Sequence, residues 1–402
     1  MKKYIIILCD GMADEPLQSL GGKTPMEAAD TVHMNELARK SELGMVRTIP
    51  EEMEPGSDTA NLSVLGYDPR VYYSGRSPLE ALSIGVNLSD SDVSFRCNLV
   101  TLSEEQKQYD KKIMLDHSAG EITTEEAAIL IQALREELAI AGYAFYPGVS
   151  YRHLLVQEQG EVILLMPPHD ILDQEISNYL THPAILREMM ERSYHILQSH
   201  PINQDRRKRG LKVANSVWFW GAGVKPTLPS FTEKYGLRGA MISAVDLLKG
   251  IAVGSGMHNI DVEGATGGLD NNYRGQGEAA VKALVEENFD FVYVHIEAPD
   301  EMGHQGNYVD KIKAIENIDQ MIVGPMVAEL SAAHVPFRML VLPDHPTPVA
   351  RRTHTKSPVP YLLYDSEKKV FESEMFDEKE ADKTGIYVEQ GEQLIRRLFG
   401  LT

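Results

Sequence analysis

The sequence is poor in cysteine and contains no long apolar segment. Cys9 and Cys97 are its two cysteines among 402 residues, too few for a disulfide framework or a cysteine-rich metal site. Free thiols suit a reducing compartment, so we expect a cytoplasmic protein. No stretch approaches the ~20 apolar residues of a membrane helix. The apolar run 4–9, which follows Lys2 and Lys3, is shorter than the ~7–15 residues of a signal-peptide core.

Positive charge is also scarce. The chain has 39 lysines and arginines against 59 aspartates and glutamates, a formal net charge of -20. Such an excess of negative charge disfavours binding to nucleic acid or to an anionic membrane surface, and we expect neither as a partner. With 43% hydrophobic residues, the chain can form a large core in two domains, or in one large domain with an insertion.

Short apolar runs alternate with helical patterns over much of the chain. Runs typical of buried strands occur at 4–9, 291–296 and 338–342, and helical patterns at 277–288 and 308–330. This alternation favours a doubly wound α/β fold, with a mostly parallel sheet and helices on both faces. Active sites of open α/β sheets form at the carboxyl ends of the strands.

The middle of the chain carries a different pattern. Its runs predict strands at 95–102, 148–156 and 162–166, a helix at 123–141, and a helix end with a connection at 198–211. The polar segments that follow predicted strands in the rest of the chain do not occur in this middle part.

We therefore expect residues 91–211 to form a smaller α+β domain inserted into the sheet domain. The sheet domain would be discontinuous, with residues 1–90 and 212–402.

Residues suited to metal binding lie in five short segments separated by long stretches of chain, several of them just after predicted strands. Asp300 and His304 are four residues apart, so a helix that begins near Pro299 would place both on one face. Asp344 and His345 are adjacent, a pair that two metals ~3.5–4 Å apart could share on a tight turn. Each residue alone is most simply a turn, surface or core residue. Together the candidates are Asp10, Ser57, Asp300, His304, Asp344, His345 and His354.

Ser57 is the candidate nucleophile. It follows Gly56 where a helix is predicted to begin, and the free N–H groups of a helix start favour a phosphoryl group. The alternative is that Ser57 only caps the helix. A metal-bound serine would lose its proton readily and could attack phosphorus.

Several motifs together resemble the alkaline phosphatase superfamily and, within it, the archaeal-type 2,3-bisphosphoglycerate-independent phosphoglycerate mutases. The resemblance runs nearly end to end. It rests on Asp10-Gly11, Pro55-Gly56-Ser57-Asp58-Thr59-Ala60, Asn61 to Pro69, Phe95-Arg96-Cys97-Asn98, His200-Pro201-Ile202-Asn203, Gly264-Ala265-Thr266-Gly267, Asp300 with His304, and Asp344-His345.

The resemblance implies an alkaline phosphatase-like sheet domain with two divalent metal ions, Mn²⁺ or alternatively Zn²⁺, Co²⁺ or Mg²⁺. Carried over by position, one ion would bind Asp10, Ser57, Asp344 and His345, and the other Asp300, His304 and His354. Ser57 would receive the phosphoryl group of 3-phosphoglycerate and return it to the other hydroxyl, through a phosphoserine intermediate. The inserted domain would act as a lid that excludes water.

Arginines suited to the carboxylate and phosphate of the substrate are Arg96, Arg152 and Arg274. The segment 116–121 departs from the arginine-rich segment of the archaeal mutases. It contains Asp116, His117 and Glu121 instead, which we include among the candidate substrate residues.

In this segment the sequence is similar to a bacterial branch of the family, whose members are proposed to be homoserine kinases. Asp116 or Glu121 could receive the ammonium group of homoserine, which phosphoglycerate lacks. A kinase of this kind, using ATP, is therefore the alternative to the mutase, although the sequence has neither a Gly-x-x-x-x-Gly-Lys-Ser/Thr phosphate loop nor a kinase glycine-rich loop. A metal-dependent phosphatase and a catalytically silent metal-binding homologue are further alternatives. The expected partner is a small phosphorylated substrate, and the chain is expected to be a monomer or a small homo-oligomer.

Overall fold

The computed structural model describes residues 2–368 and 373–401. The chain forms two compact units. Residues 1–73 and 227–402 form the first, here called the sheet unit, and residues 74–226 form the second, here called the inserted unit. No helix in the described ranges has both the length and the apolarity needed to cross a bilayer.

The strands and helices are numbered in chain order. The strands are β1 Lys3–Cys9, β2 Ser41–Val46, β3 Val93–Leu102, β4 Met114–Asp116, β5 Tyr143–Tyr146, β6 Arg152–Gln157, β7 Ser216–Val224, β8 Gly239–Ile242, β9 His258–Asn259, β10 Phe291–Ile296, β11 Phe337–Leu342, β12 Val359–Asp365 and β13 Tyr387–Val388. The α-helices are α1 Pro25–Ala28, α2 Val32–Ala38, α3 Ser57–Val64, α4 Pro69–Tyr72, α5 Arg76–Ser83, α6 Thr124–Glu137, α7 Ala184–Leu197, α8 Pro201–Lys208, α9 Phe231–Tyr235, α10 Asp246–Gly254, α11 Tyr273–Val285, α12 Ala298–Gln305, α13 Tyr308–Ile318, α14 Gly324–Ala332, α15 Glu378–Lys383 and α16 Leu394–Phe399.

The sheet unit is built on one eight-stranded sheet in the order β13-β2-β12-β11-β1-β10-β8-β9. Its centre is parallel, because β1 pairs in parallel with β10 on one side and β11 on the other. The order of strands thus reverses at β1, and a crevice forms at such a point beyond the carboxyl ends of the strands. Antiparallel pairing is confined to β12, which pairs with β11 and β2.

Helices cover both faces of this sheet, which explains why the run in β1 is apolar without alternation. Ile5 and Ile7 point into a core shared with α2, α11, α13 and α14. Tyr4 and Phe291 lie on the opposite face, where each ring contacts Phe399 of α16. The predicted doubly wound α/β fold class is therefore confirmed, and the expected strands at 4–9, 291–296 and 338–342 all form.

The inserted unit has its own antiparallel sheet and its own core. The central strand β3 pairs with β6 and β7 along its edges and with β4 near its end, and β5 completes the sheet beside β6. All ten residues of β3 are buried. Apolar residues of α6 and α7 pack in the same core, so this unit combines helices and an antiparallel sheet, as expected of the α+β domain that the sequence predicts.

The unit boundaries differ from the expected ones at 90/91 and 211/212. They lie at 73/74 and 226/227 because both flanks pack on β3. Ser77 of α5 donates a hydrogen bond of 2.8 Å to the carbonyl of Ser94, and β7 pairs with β3 as far as Val224. The stretch without motifs predicted the position of the insertion only approximately, because the lack of a motif does not show which flanking elements pack on β3.

Two expectations for the inserted unit are wrong in detail. Residues 162–166 form no strand. Leu165 lies in the core and Ile163 packs against it, whereas Leu164 is 97% exposed, so this continuous apolar run contacts the core as irregular chain. The segment 198–211, expected as a helix end and a connection, contains α8. Its start is capped by His200, whose ring nitrogen accepts from the N–H of Ile202.

Candidate active site

The carboxyl ends of β1 and β11 bring two aspartates together. Asp10 follows β1 and Asp344 lies two residues beyond β11. Gly11 adopts a left-handed conformation (φ +61°), and its N–H donates to Asp344 Oδ1 over 3.1 Å. A Cβ atom at Gly11 would lie 2.5 Å from Asp300 Oδ1. A glycine is therefore required here both for the turn and for the close approach of Asp300.

Asp10, Asp344 and His345 form the first group of possible metal ligands, with one ligand atom of each within 4.8 Å of the others. His345 Nε2 lies 3.7 Å from Asp10 Oδ1 and 3.4 Å from Asp344 Oδ2. Burial and the nearby carboxylate of Asp344 raise the pKa of Asp10 well above its usual range. Two buried carboxylates in contact repel each other, and this arrangement favours a bound cation.

Asp300, His345 and His354 form the second group, and His304 adjoins it. His304 lies one turn after Asp300 on α12, with Nε2 3.2 Å from Asp300 Oδ2. His354 Nε2 is 3.3 Å from Asp300 Oδ1 and 2.9 Å from His304 Nε2. The structure thus places His345 in both groups, whereas the family pattern assigns it to one ion.

The protonation of the second group is set by these contacts. Burial raises the pKa of Asp300, but hydrogen bonds from His304 and His354 outweigh it and hold the pKa well below its usual range. Burial lowers the pKa of His304, but its contact with Asp300 raises it to about 9. A metal ion bound here would replace protons on these imidazoles.

Ser57 is the first residue of α3, and it faces these groups. Its Oγ lies 3.2 Å from His345 Nε2. Gly56 is the N-cap residue and provides no side-chain hydrogen bond, and the N–H of Thr59 donates to Asp58 Oδ1 over 2.8 Å. Ser57 is not the N-cap residue, so the alternative role as a helix cap is wrong.

The donor atoms fit divalent cations. Asp10 Oδ1 is buried and has no hydrogen-bond partner among the described residues. The Nε2 atoms of His304 and His354 converge on the same carboxylate. Carboxylate oxygens and imidazole nitrogens together suit Mn²⁺, Co²⁺ and Zn²⁺.

Residues outside the candidate ligand set hold those ligands in place. Asn61 donates to Asp344 Oδ2 over 2.9 Å, and Tyr293 donates to the side-chain oxygen of Asn61. Thr347 donates to Asp300 Oδ1. His295 contacts Asp10 Oδ2 at 2.8 Å, and the signal for it was a histidine inside an otherwise apolar strand.

The candidate substrate residues of the inserted unit are held by contacts of their own. Arg96 is buried, with Nε 3.0 Å from Glu80 Oε2 and its guanidinium 4.2 Å above the ring of Trp220. The ring of His117 contacts those of Tyr151 and His169. A stacked guanidinium and polar rings can line a site for an anion.

The remaining candidates are less constrained. Arg152 and Glu121 are exposed in the inserted unit, and Arg274 is exposed in the first turn of α11 in the sheet unit. Asp116 is half-buried and pairs with Lys212 at 2.5 Å. Burial raises the pKa of Asp116, but hydrogen bonds from Lys212 and Ser118 outweigh it and lower the pKa to about 2.

Comparison with known proteins identifies the family. The profile of the 2,3-bisphosphoglycerate-independent phosphoglycerate mutases matches residues 38–203. The mutase of that name from Methanothrix thermoacetophila is 47% identical over 98% of this chain and 99% of its own length. The chain belongs to this family. A probable mutase of the same kind from Geobacter sulfurreducens is 48% identical over 98% of this chain and 99% of its own length.

Solved structures agree with this membership. A cofactor-independent phosphoglycerate mutase from Thermoplasma acidophilum matches the whole of both chains with a TM-score of 0.65 and 27% identity. A protein from Pyrococcus horikoshii matches with a TM-score of 0.81 and 30% identity, over 100% of this chain and 97% of its own. The predicted resemblance to the mutase family is confirmed, and these comparisons favour it over the homoserine-kinase alternative.

Proposed function

We propose that this chain interconverts 3-phosphoglycerate and 2-phosphoglycerate through a phosphoserine at Ser57. The observation that carries the proposal is the position of Ser57 Oγ at a helix start, 3.2 Å from Nε2 of His345, the residue that the two groups of possible metal ligands share. Relatives at 47–48% identity over nearly the full length of both chains are named as mutases of this type.

The reaction is a double transfer. Ser57 Oγ attacks the phosphorus of the bound 3-phosphoglycerate, the bond from phosphorus to the substrate oxygen O3 breaks, and O3 takes up a proton. The glycerate then turns within the site. Its O2 attacks the phosphoserine, which returns the phosphoryl group and restores the serine. No water takes part, so exclusion of water decides between transfer and hydrolysis.

Two divalent cations would supply charge neutralisation on the phosphoryl oxygens and would lower the pKa of the serine hydroxyl. We assign Asp10, Ser57 and Asp344 to one cation and Asp300, His304 and His354 to the other, with His345 able to reach either. Among candidate ions, Mn²⁺ remains our first expectation, with Zn²⁺, Co²⁺ and Mg²⁺ as alternatives.

Residues of the inserted unit would bind the carboxylate and phosphate of the substrate. Arg96 is the first candidate because it is buried and stacked on Trp220, which fixes the plane of its guanidinium. His117 and Arg152 are further candidates, and Arg274 is the candidate from the sheet unit. We also propose that the inserted unit serves as the lid that excludes water.

The kinase alternative receives no support from the geometry at 116–121. Asp116 is already neutralised by Lys212 and accepts hydrogen bonds from the N–H and hydroxyl of Ser118. To receive an ammonium group, it would have to give up these partners. Glu121 is exposed, where an ion pair contributes little.

The test uses protein stripped of metal and reloaded separately with Mn²⁺, Co²⁺, Zn²⁺ or Mg²⁺. Each sample receives 3-phosphoglycerate in one reaction and homoserine with ATP in another, and ³¹P NMR follows the products. We expect 2-phosphoglycerate in at least the Mn²⁺ sample and no phosphohomoserine. Free phosphate as the main product would identify a phosphatase, and phosphohomoserine would identify the kinase. Light scattering on the same samples would test the expected monomer or small homo-oligomer.

A further inference from the structure

His295 lies at the carboxyl end of β10 and is fully buried beside Asp10. Its Nε2 is 2.8 Å from Asp10 Oδ2, and its Nδ1 is 3.2 Å from the hydroxyl oxygen of Ser243. Ser243 directly follows β8, and its Oγ accepts a hydrogen bond of 3.0 Å from the N–H of Val245. A chain of contacts therefore runs from a backbone N–H to one oxygen of a candidate metal ligand.

The direction of each hydrogen bond in this chain can be assigned. The backbone N–H of Val245 can only donate, and an Asp10 that is ionised because a cation is bound at Oδ1 can only accept at Oδ2. The neutral imidazole then carries its proton on Nε2 and accepts the hydroxyl proton of Ser243 at Nδ1.

The same contact leaves the other oxygen of Asp10 open. Oδ1 is buried, lacks a hydrogen-bond partner among the described residues, and is 3.7 Å from His345 Nε2. A carboxylate anchored by one oxygen cannot rotate freely, so its second oxygen keeps a fixed direction. Partners of this kind, behind a ligand, tune metal affinity by ~10–100-fold.

We propose that His295, oriented by Ser243, is a positioning residue that holds Asp10 Oδ2 and thereby presents Oδ1 to a divalent cation. The proposal rests on the proposed metal centre. It gives His295 and Ser243, which are not ligands, a part in metal affinity. The affinity for the cation at Asp10 should therefore depend on these two residues more than the affinity for the cation at Asp300.

The experiment measures Mn²⁺ binding to metal-stripped protein by calorimetry, without any substrate. In His295→Leu, we expect the affinity at one of two sites to fall ~10–100-fold. In His295→Gln, the side-chain amide can still donate to Asp10, so much of that loss should be recovered. The control is His153→Leu. His153 is buried to a similar degree in β6 of the inserted unit, and its replacement should leave both Mn²⁺ affinities unchanged.

A second measurement does not depend on the folding of the leucine variant. In protein with ¹⁵N-labelled histidine and a diamagnetic ion such as Zn²⁺, NMR should show His295 protonated at Nε2. Ser243→Ala removes the hydroxyl at Nδ1, so the ring should populate both tautomers and the first-site affinity should fall by less than in His295→Leu. Ser243→Thr keeps a hydroxyl and should retain the parent spectrum.

The outcomes separate this proposal from the metal centre itself. If the parent protein binds two cations and His295→Leu leaves both affinities unchanged, the role of His295 is overturned while the metal centre stands. Unchanged affinity and tautomer in a folded Ser243→Ala overturn the orienting role of Ser243. An equal loss in the His153→Leu control overturns the role of His295 too, because the effect would then be general destabilisation. A parent protein that binds no divalent cation overturns the metal centre and this assignment with it.

Discussion

The sheet unit and the inserted unit hold their charged side chains in different ways. At the strand ends of the sheet unit, Asp10 and Asp344 lie side by side, and Asp10 Oδ1 has no hydrogen-bond partner among the described residues. In the inserted unit, Arg96 is paired with Glu80 and Asp116 with Lys212. The first arrangement leaves a buried carboxylate oxygen available to a cation, whereas in the second each of these two charged side chains already has an oppositely charged partner. Mutations in the sheet unit should therefore mainly change binding and chemistry, and those in the inserted unit should also change stability.

The largest effect is expected from Ser57→Ala. Without the Ser57 hydroxyl, no side chain is in place to accept the phosphoryl group. The rate of phosphoglycerate interconversion should therefore fall by about 10⁴-fold or more, while the protein stays folded. The matched control is Thr59→Ala in the same helix, which should keep most of the activity. Mass spectrometry of protein quenched during turnover should find phosphate on Ser57. Turnover retained by Ser57→Ala, or phosphate on Thr59, would rule out this nucleophile.

Loss of metal ligands should distinguish the two groups within the sheet unit. Asp344→Ala with His345→Ala should lose one ion outright, because His345 Nε2 and Asp344 Oδ2 line the same site. His345→Ala alone should weaken both ions, since His345 belongs to both groups. His304→Ala should weaken only the ion at Asp300. Elemental analysis after gel filtration gives the stoichiometry. Two ions retained in the double mutant would contradict the assignment.

Substitution of Arg96 tests whether the inserted unit binds the substrate. A hydrogen bond between charged groups contributes ~1.5–3 kcal/mol, so Arg96→Lys should raise the KM for 3-phosphoglycerate about tenfold or more. The same change should lower stability, because Arg96 is buried against Glu80 and Trp220. Arg192→Lys, at a half-exposed arginine on α7, is the control and should change neither. A stability loss with an unchanged KM would make Arg96 a purely structural residue.

The smallest effect is expected at Asp116. Its pKa of about 2 in the folded protein lies below the ordinary 3.8, so the carboxylate stabilises the fold above pH ~4 and loses this effect as the pH falls toward ~2. Because Lys212 is 56% exposed, we expect Asp116→Asn to cost only about 1 kcal/mol at pH 7. Urea unfolding at pH 7, 5 and 4 should show this difference shrink at the lowest pH. A difference that grows on acidification would have the wrong sign.

The sequence was most informative where local pattern and position coincide. The uninterrupted apolar runs predicted β1, β10 and β11, and parallel strands necessarily place Asp10 and Asp344 at one edge. The wrong strand at 162–166 shows the limit of pattern alone, because Ile163 and Leu165 of this apolar run contact the core without pairing with a strand.

Residues that depend on tertiary partners were not predicted. His295 and Thr347 acquire their roles only because β10 and the segment after β11 meet behind the candidate ligands. The unit boundaries likewise depend on the packing of α5 against β3. The substrate residues at 116–121 came from the family resemblance, and the pairing of Asp116 with Lys212 could not be read from the sequence.

The central position of β1 has a consequence for synthesis on the ribosome. Tyr4 pairs with Phe291 and Arg338, so β1 leaves the ribosome roughly 290 residues before its first partner β10. At ~5–20 residues per second, that delay is about 15–60 s. During it, the inserted unit can fold from contiguous chain, while Ile5, Ile6 and Ile7 remain without their neighbouring strands β10 and β11. A nascent chain of this kind should depend on chaperones that shield its amino terminus until translation is nearly complete.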